Sequence, residues 1–219
     1  MTAGAAGLLV GGTEVANAAA AQTHAMSHAG THLVRMSTEE LNTLSFHAGD
    51  FIGVNNVEWD LMRFYHAQNC VVDVAGVHTV GLEAHIEFMR NFVVQYPDLQ
   101  IRRHDPNVAQ GDWTATVGHA AGIAPDDQIM RVVTVARWVR RQVAEEYIFM
   151  RELPADTPAP KSKPTISVAT PNDRQLWLAA GLEFGWRCDV YGWGTGKKTA
   201  VFTKSQDGEI VERLAFAEI

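Results

Sequence analysis

Cysteine and positive charge are both scarce in this sequence. Its two cysteines, Cys70 and Cys188, lie in no CxxC spacing, which excludes a disulfide framework and a cysteine metal site. The two cysteines can either form one disulfide bridge or remain as two buried thiols, and the sequence does not decide between these alternatives. There are 18 Lys and Arg against 25 Asp and Glu, a net charge of -7. Surfaces that neutralise nucleic-acid phosphates or anionic lipids need the opposite balance, so neither nucleic acid nor membrane is expected as a partner.

A long hydrophobic run is also absent, because the apolar stretch at 3–10 is too short to span a bilayer. No Lys or Arg precedes Arg35. Residues 1–34 are therefore predicted to be a flexible segment or the remnant of an export signal, and the location stays open between cytoplasmic and exported. Three histidines recur there every four residues: His24, His28 and His32. No carboxylate or cysteine joins them, so a tail is favoured over a metal site.

The rest of the chain alternates between helical and extended patterns. Ser37 and Glu40 form a capping box that begins a helix, and further helices are predicted at 57–66 and from Gly81 to Pro97. Strands are predicted at 70–74, 99–108, 113–121, 129–139 and 143–150. This order predicts an α+β fold in which a cone-shaped, curved antiparallel sheet carries helices over its concave face and encloses a pocket.

A chain of 219 residues has room for one domain with extensions. The predicted segments are a flexible one at 1–34, the α+β domain at 35–152, a proline-rich linker at 153–165 and a C-terminal extension at 166–219. The extension is predicted to hold a helix at 172–184 followed by three strands, at 187–193, 199–204 and 209–217. Because segment 209–216 resembles 142–149, a partial repeat stays open.

Several short motifs follow one another in a characteristic order. They are Trp59-Asp60 with Tyr65, Val72-Asp73-Val74-Ala75-Gly76, Gly81, Pro97-Asp98, Gly111-Asp112-Trp113, Gly118-His119 and Val143-Ala144-Glu145-Glu146-Tyr147. This series resembles the SnoaL-like polyketide cyclases of the nuclear-transport-factor-two-like superfamily, which also contains the ketosteroid isomerases. The resemblance implies a deep apolar pocket, a homodimer formed through the outer face of the sheet, and no metal or organic cofactor.

Asp73 and His119 are predicted to be the acid–base groups. Asp73 matches the place where ketosteroid isomerases carry the carboxylate that moves a proton beside a carbonyl, and its valine neighbours supply an apolar setting. His119 resembles the histidine that ends a pocket strand in the cyclases, and alternation puts it on the face of Trp113 and Val117. Their alternative roles are a turn-capping carboxylate and a hydrogen-bonded histidine of the core or rim.

The other predicted site residues lie on neighbouring elements. Glu145 and Glu146 occupy opposite faces of one strand, and Glu145 is predicted to face the pocket; an ion pair with Arg137 is its alternative role. Six side chains are predicted to bind ligand in the pocket or at its mouth: Tyr65, His66, His78, Trp113, Val117 and Trp138. Plain core packing is the alternative for the aromatic ones.

Two functions of different kinds follow from these predictions. The first is an enzyme that transfers protons in the cyclisation or isomerisation of a hydrophobic carbonyl or polycyclic substrate. The second is a non-catalytic carrier that encloses a small hydrophobic molecule. Segment 130–135 has no carboxylate where the cyclases carry an aspartate, so the carrier hypothesis stays open. A third possibility is that the aromatic residues of the C-terminal extension, Trp186, Tyr191 and Trp193, form an interface for assembly.

Overall fold

The structure, a computed structural model, describes residues 36–171, 181–192 and 197–218. The chain divides into two compact units, Met1–Met36 and Ser37–Ile219, and all described helices and strands belong to the second. The predictions for residues 1–34 lie outside the described residues, as does most of the predicted helix at 172–184. Among the described helices, none combines the length and the apolar character that a membrane crossing requires.

Three α-helices occur in the described chain: α1 (Thr38–Ala48), α2 (Trp59–Tyr65) and α3 (Leu82–Gln95). The predicted capping box begins α1. The backbone N–H of Ser37 donates to the Glu40 carboxylate over 2.8 Å, and the N–H of Glu40 donates to Ser37 Oγ over 3.2 Å. Helix α1 runs directly into a π-helical segment, Gly49–Val54. Such segments are rare in proteins and often occur at functional sites.

The described strands form two sheets. The first contains β1 (His66–Val74), β2 (Val77–Val80), β3 (Gln100–Gln110), β4 (Trp113–Ala121), β5 (Met130–Val139) and β6 (Gln142–Phe149). Its order is β2-β1-β6-β5-β4-β3. All neighbours are antiparallel except β1 and β6, which are parallel.

The second sheet follows in the chain. It contains β7 (Arg151–Glu152), β8 (Ile166–Ala169), β9 (Trp186–Tyr191), β10 (Thr199–Gln206) and β11 (Glu209–Ala217). Its order is β7-β11-β10-β9-β8, and every pair is antiparallel. The two segments of the predicted repeat form β6 and β11, which belong to different sheets.

Both faces of the six-stranded sheet are buried. The three helices cover what we call the inner face, where Val72 and Trp138 of the sheet pack with Ile86 of α3. The second sheet covers the outer face, where Val117 and Phe149 pack with core residues of the second sheet. Two layers of β-sheet therefore lie behind one layer of helices.

The predicted α+β class, with helices over one face of a curved sheet, is confirmed. The three strands predicted in the extension form β9, β10 and β11, and β7 and β8, which the sequence did not predict, complete a five-stranded sheet. Position 152, the predicted end of the first domain, lies in β7, where Glu152 pairs with Phe216 of β11. The outer face, through which the resemblance implied a homodimer, is covered by this chain's own second sheet.

Candidate functional site

A cavity of about 70 Å³ lies between the helices and the inner face of the six-stranded sheet. Most of its lining is apolar and includes Val74, Met89, Phe92 and Ile148. The polar side chains that line it are Asp50, Thr134 and Glu146. Pockets for drug-sized ligands begin at roughly 300 Å³. The cavity thus has the expected apolar character, but its volume suits a molecule of a few heavy atoms and is too small for a polycyclic one.

The Asp50 carboxylate enters the cavity from the π-helical segment. His104, on β3, donates from Nε2 to Asp50 Oδ2 over 3.0 Å. The His104 ring is buried and stacks on Phe51, with the ring centroids 4.5 Å apart. The imidazole therefore fixes the carboxylate from the protein side while the cavity borders it on another. Because a buried imidazole holds it in place, this carboxylate is oriented before any ligand arrives.

A polar network behind His104 holds this part of β3. The register of β3 against β4 shifts between His104 and Asn107, and the Asn107 amide donates to the His104 carbonyl over 2.9 Å. Thr116 donates to the Asn107 side-chain oxygen, and His47 Nε2 lies 3.4 Å from the same oxygen. Burial, followed by the charge of His104, lowers the pKa of His47. An earlier shift in the same register, between Ile101 and Arg103, adds one residue to β3 and so puts His104 on the inner face, toward α1.

A second buried histidine–carboxylate pair lies deeper on the inner face. His66, the first residue of β1, donates from Nε2 to Glu146 Oε2 over 3.0 Å. His85, in the first turn of α3, lies beside it with the ring centroids 5.0 Å apart. Burial lowers the pKa of His85 to about 4; among the smaller causes, Glu146 raises it and His66 lowers it. His66 and His85 are each 2% exposed and Glu146 is 6% exposed, so all three side chains are buried.

Asp73 lies on the outer face of β1 and does not border the inner cavity. Its carboxylate accepts the Gly76 N–H over 2.9 Å and so caps the turn between β1 and β2. It also lies 3.5 Å from Lys198 Nζ, next to β10 of the second sheet. The turn-capping alternative therefore describes its position, and the predicted position in the pocket is wrong.

His119 and Glu145 also lie on the outer face. His119 Nε2 lies 3.3 Å from the Asp105 carbonyl and 3.3 Å from Arg103 Nη2, at the rim of a polar cleft between the two sheets. Burial is the main cause that lowers the pKa of His119. Glu145 accepts from Arg137 Nε over 2.8 Å, which is the cross-strand ion pair considered as its alternative role. Neither side chain lines the inner cavity, contrary to the prediction.

The predicted ligand-binding residues divide between three environments. Trp113 and Val117 belong to the core between the two sheets. His78 is exposed on β2. Tyr65, His66 and Trp138 are buried on the inner side but do not line the cavity; Trp138 is core, and its Nε1 donates to Thr114 Oγ1 over 2.9 Å. None of the three predicted catalytic residues thus lines the inner cavity.

The error has one physical cause, which is strand parity. Side chains alternate between the two faces of a sheet, so assigning one residue to the wrong face moves the whole set. The stripe of Ala115 and Val117 on β4 is apolar because it packs on the second sheet, whereas Thr116 points to the inner face. On β6 the same parity places Glu145 outside and Glu146 inside.

Asp50, His104 and Glu146 are not among the predicted site residues. The sequence did carry one usable signal for Glu146, because only one of two adjacent strand carboxylates can face a pocket. A second signal was the number of strands after residue 165, since an added sheet must bury a face of its own. For Asp50 and His104 we find no signal in the sequence, because their meeting depends on a π-helical segment and a strand irregularity.

No protein-family model and no curated protein sequence matches this chain. Similar solved structures include a proposed SnoaL-like polyketide cyclase from Jannaschia sp. CCS1, with 18% identity and a TM-score of 0.46 over 52% of this chain and 88% of that chain. A proposed ketosteroid isomerase from Kribbella flavida has 17% identity and a TM-score of 0.45 over 56% of this chain and 87% of its own. A proposed polyketide cyclase from Sinorhizobium meliloti has 14% identity and a TM-score of 0.41 over 45% of this chain and 87% of its own.

At these identities no residue role is carried over from those proteins. The similar structures thus include proposed polyketide cyclases and a proposed ketosteroid isomerase.

Proposed function

We propose that this protein binds a small hydrophobic carbonyl compound in the inner cavity and transfers a proton at the carbon next to the carbonyl group. The proton-transfer group is the Asp50 carboxylate, which His104 orients. The observation that carries the proposal is a carboxylate that lines an apolar cavity and is held 3.0 Å from a buried imidazole. Asp73 and His119 have no part in it.

An apolar lining suits this chemistry for two reasons. It takes up the hydrocarbon part of the ligand, and a bound ligand shields the reacting atoms from water. In the proposed step the C–H bond next to the carbonyl breaks, its proton passes to Asp50, and the electron pair moves to the carbonyl oxygen to give an enolate. The Thr134 hydroxyl, which also lines the cavity, can donate to that oxygen. When the substrate is a β,γ-unsaturated ketone, the enolate is conjugated with the C=C bond, and return of the proton from Asp50 to the γ-carbon gives the α,β-unsaturated isomer.

The volume of the cavity sets the substrate class. At about 70 Å³ it favours a small ketone or aldehyde over the polycyclic substrates that the resemblance allowed.

The proposal can be tested without the natural substrate. Proton transfer next to a carbonyl exchanges that proton for deuterium in heavy water, which proton NMR follows with acetone, 2-butanone and cyclopentanone as probes. We expect the wild-type protein to accelerate exchange of at least one probe. Asp50→Asn should lower this rate about 10²- to 10⁴-fold, the range for loss of a general base. His104→Gln should lower it less, because the carboxylate remains.

Thermal melting with and without the probe supplies the control, since both variants must stay folded and still be stabilised by ketone. If the wild-type protein is stabilised by ketone but never accelerates exchange, the carrier hypothesis replaces the enzyme. If Asp50→Asn exchanges as fast as wild type, Asp50 is not the base.

A further inference from the structure

We propose that His66, His85 and Glu146 bind one divalent first-row transition-metal ion. This inference goes beyond the proposed function and does not rest on it. The three residues come from β1, α3 and β6, and one donor atom from each lies within 4.8 Å of the others. Two imidazoles and one carboxylate form a donor set that suits Zn²⁺, Fe²⁺ or Co²⁺ better than Mg²⁺ or Ca²⁺, which prefer oxygen ligands.

The spacing of the three side chains is close to what one ion requires. Ligand atoms about 2.1 Å from a tetrahedral Zn²⁺ lie about 3.4 Å from one another. His66 Nε2 and Glu146 Oε2 are already 3.0 Å apart. Side-chain rotations that bring the remaining atoms closer by about 1 Å or a little more would therefore complete the site.

The charges and hydrogen bonds of the group also favour a cation. Glu146 is a buried carboxylate whose only ion pair in the described chain is with His66. A buried carboxylate is costly unless a positive charge or several hydrogen bonds compensate it. His85 Nδ1 is buried without a hydrogen-bond partner in the described chain, which leaves it available to a cation. A divalent ion would neutralise the carboxylate and bind one lone pair from each imidazole.

The site also has access to small ligands. Glu146 lines the inner cavity as well as contacting His66. Protein side chains would supply three ligands, so water or a small molecule in the cavity can supply the next one.

The test measures Co²⁺ binding, because its visible absorption reports ligand number and geometry. His24, His28 and His32 could bind metal independently of this site, so the reference protein is the full chain with all three replaced by alanine. We expect the reference to bind one Co²⁺ per chain, to melt at a higher temperature with Co²⁺, and to show no such change with Mg²⁺. In this background His85→Gln and Glu146→Gln should each weaken binding by at least about 100-fold.

The matched control is His104→Gln, which removes an imidazole from the other buried histidine–carboxylate pair. It should bind Co²⁺ as tightly as the reference. Should the reference bind no Co²⁺, or should His85→Gln bind it with unchanged affinity, the proposal is wrong. An equal loss in His104→Gln would also overturn it. If His85→Gln or Glu146→Gln melts far below the reference, His66→Gln takes its place. Unchanged Co²⁺ affinity in His66→Gln would likewise show that the proposal is wrong. Since no substrate is present, these outcomes are independent of the exchange test on Asp50.

Discussion

The inner and outer faces of the six-stranded sheet are both buried, but they differ in what they bury. On the outer face Val117 and Phe149 are fully buried against the second sheet, and the ionisable side chains lie toward its margins as ion pairs and turn caps. On the inner face the helices leave a cavity, and two carboxylates line it, each held by a buried histidine. The comparison shows that apolar alternation marks a buried face without telling whether that face is filled or hollow.

The filled state of the outer face can be tested with Phe149, which is 0% exposed in the core between the sheets. Phe149→Ala should lower the free energy of unfolding by about 3–5 kcal/mol, because it leaves a cavity in a close-packed region. Phe64, which is 79% exposed, is the matched control, and Phe64→Ala should change stability by no more than about 0.5 kcal/mol. Urea unfolding measures both. Equal, small effects would contradict a packed interface between the sheets.

Two alanines on β4 compare the faces directly. Ala115 is 1% exposed and packs between the sheets, so Ala115→Val should cost about 1–3 kcal/mol through overpacking. Ala120 is 0% exposed but borders the cavity, which has room for the added methyl groups. Ala120→Val should therefore cost less than about 1 kcal/mol and should weaken the stabilisation by 2-butanone. Thermal melts with and without ketone measure both the loss of stability and the stabilisation by ligand. A larger loss of stability in Ala120→Val than in Ala115→Val would contradict a filled outer face and a hollow inner face.

A smaller, pH-dependent effect on stability is expected in the polar cleft between the two sheets, which Glu183 lines. Burial, and then the hydrogen bond and charge of Asp105, raise the pKa of Glu183 to about 7 from 4.5. Since the folded protein holds this proton more tightly than the unfolded chain, stability is lost as the pH rises from 4.5 through about 7. Glu183→Gln removes this loss. It should stabilise the protein by about 1 kcal/mol at pH 8, after allowance for solvent screening, and have no such effect below pH 4.5. Urea unfolding between pH 4 and pH 8 measures the difference in stability between Glu183→Gln and the wild type. A difference that does not change with pH would contradict the raised pKa of Glu183.

Local signals in the sequence predicted most of the elements. The Ser37–Glu40 box fixed the start of α1, and alternation with turn residues located β3 to β6 within one or two residues. Strand β2 is not predicted, because the extended pattern of β1 ends at Gly76. In the structure Gly76 belongs to a tight turn that leads directly into β2. These features depend on neighbours in the chain, which is why they can be derived from the sequence.

The site depended on contacts between distant segments. Strands β9, β10 and β11 were predicted, but their packing on the outer face was not, and that packing decides which side chains of β4 and β6 remain for the cavity. His104 and Asp50 are 54 positions apart in the chain and meet through irregular backbone on both sides. Neither propensity nor alternation encodes such a meeting.

The central claim is that proton-transfer chemistry belongs to the inner face, and two aspartates test it most directly. Asp50 lines the cavity, whereas Asp73 caps a turn on the other side of the same sheet. In the deuterium-exchange assay with a small ketone, Asp50→Asn should lose at least about 100-fold of the catalysed rate, while folded Asp73→Asn should exchange at the wild-type rate. Loss of exchange in Asp73→Asn with full activity in Asp50→Asn would contradict the account.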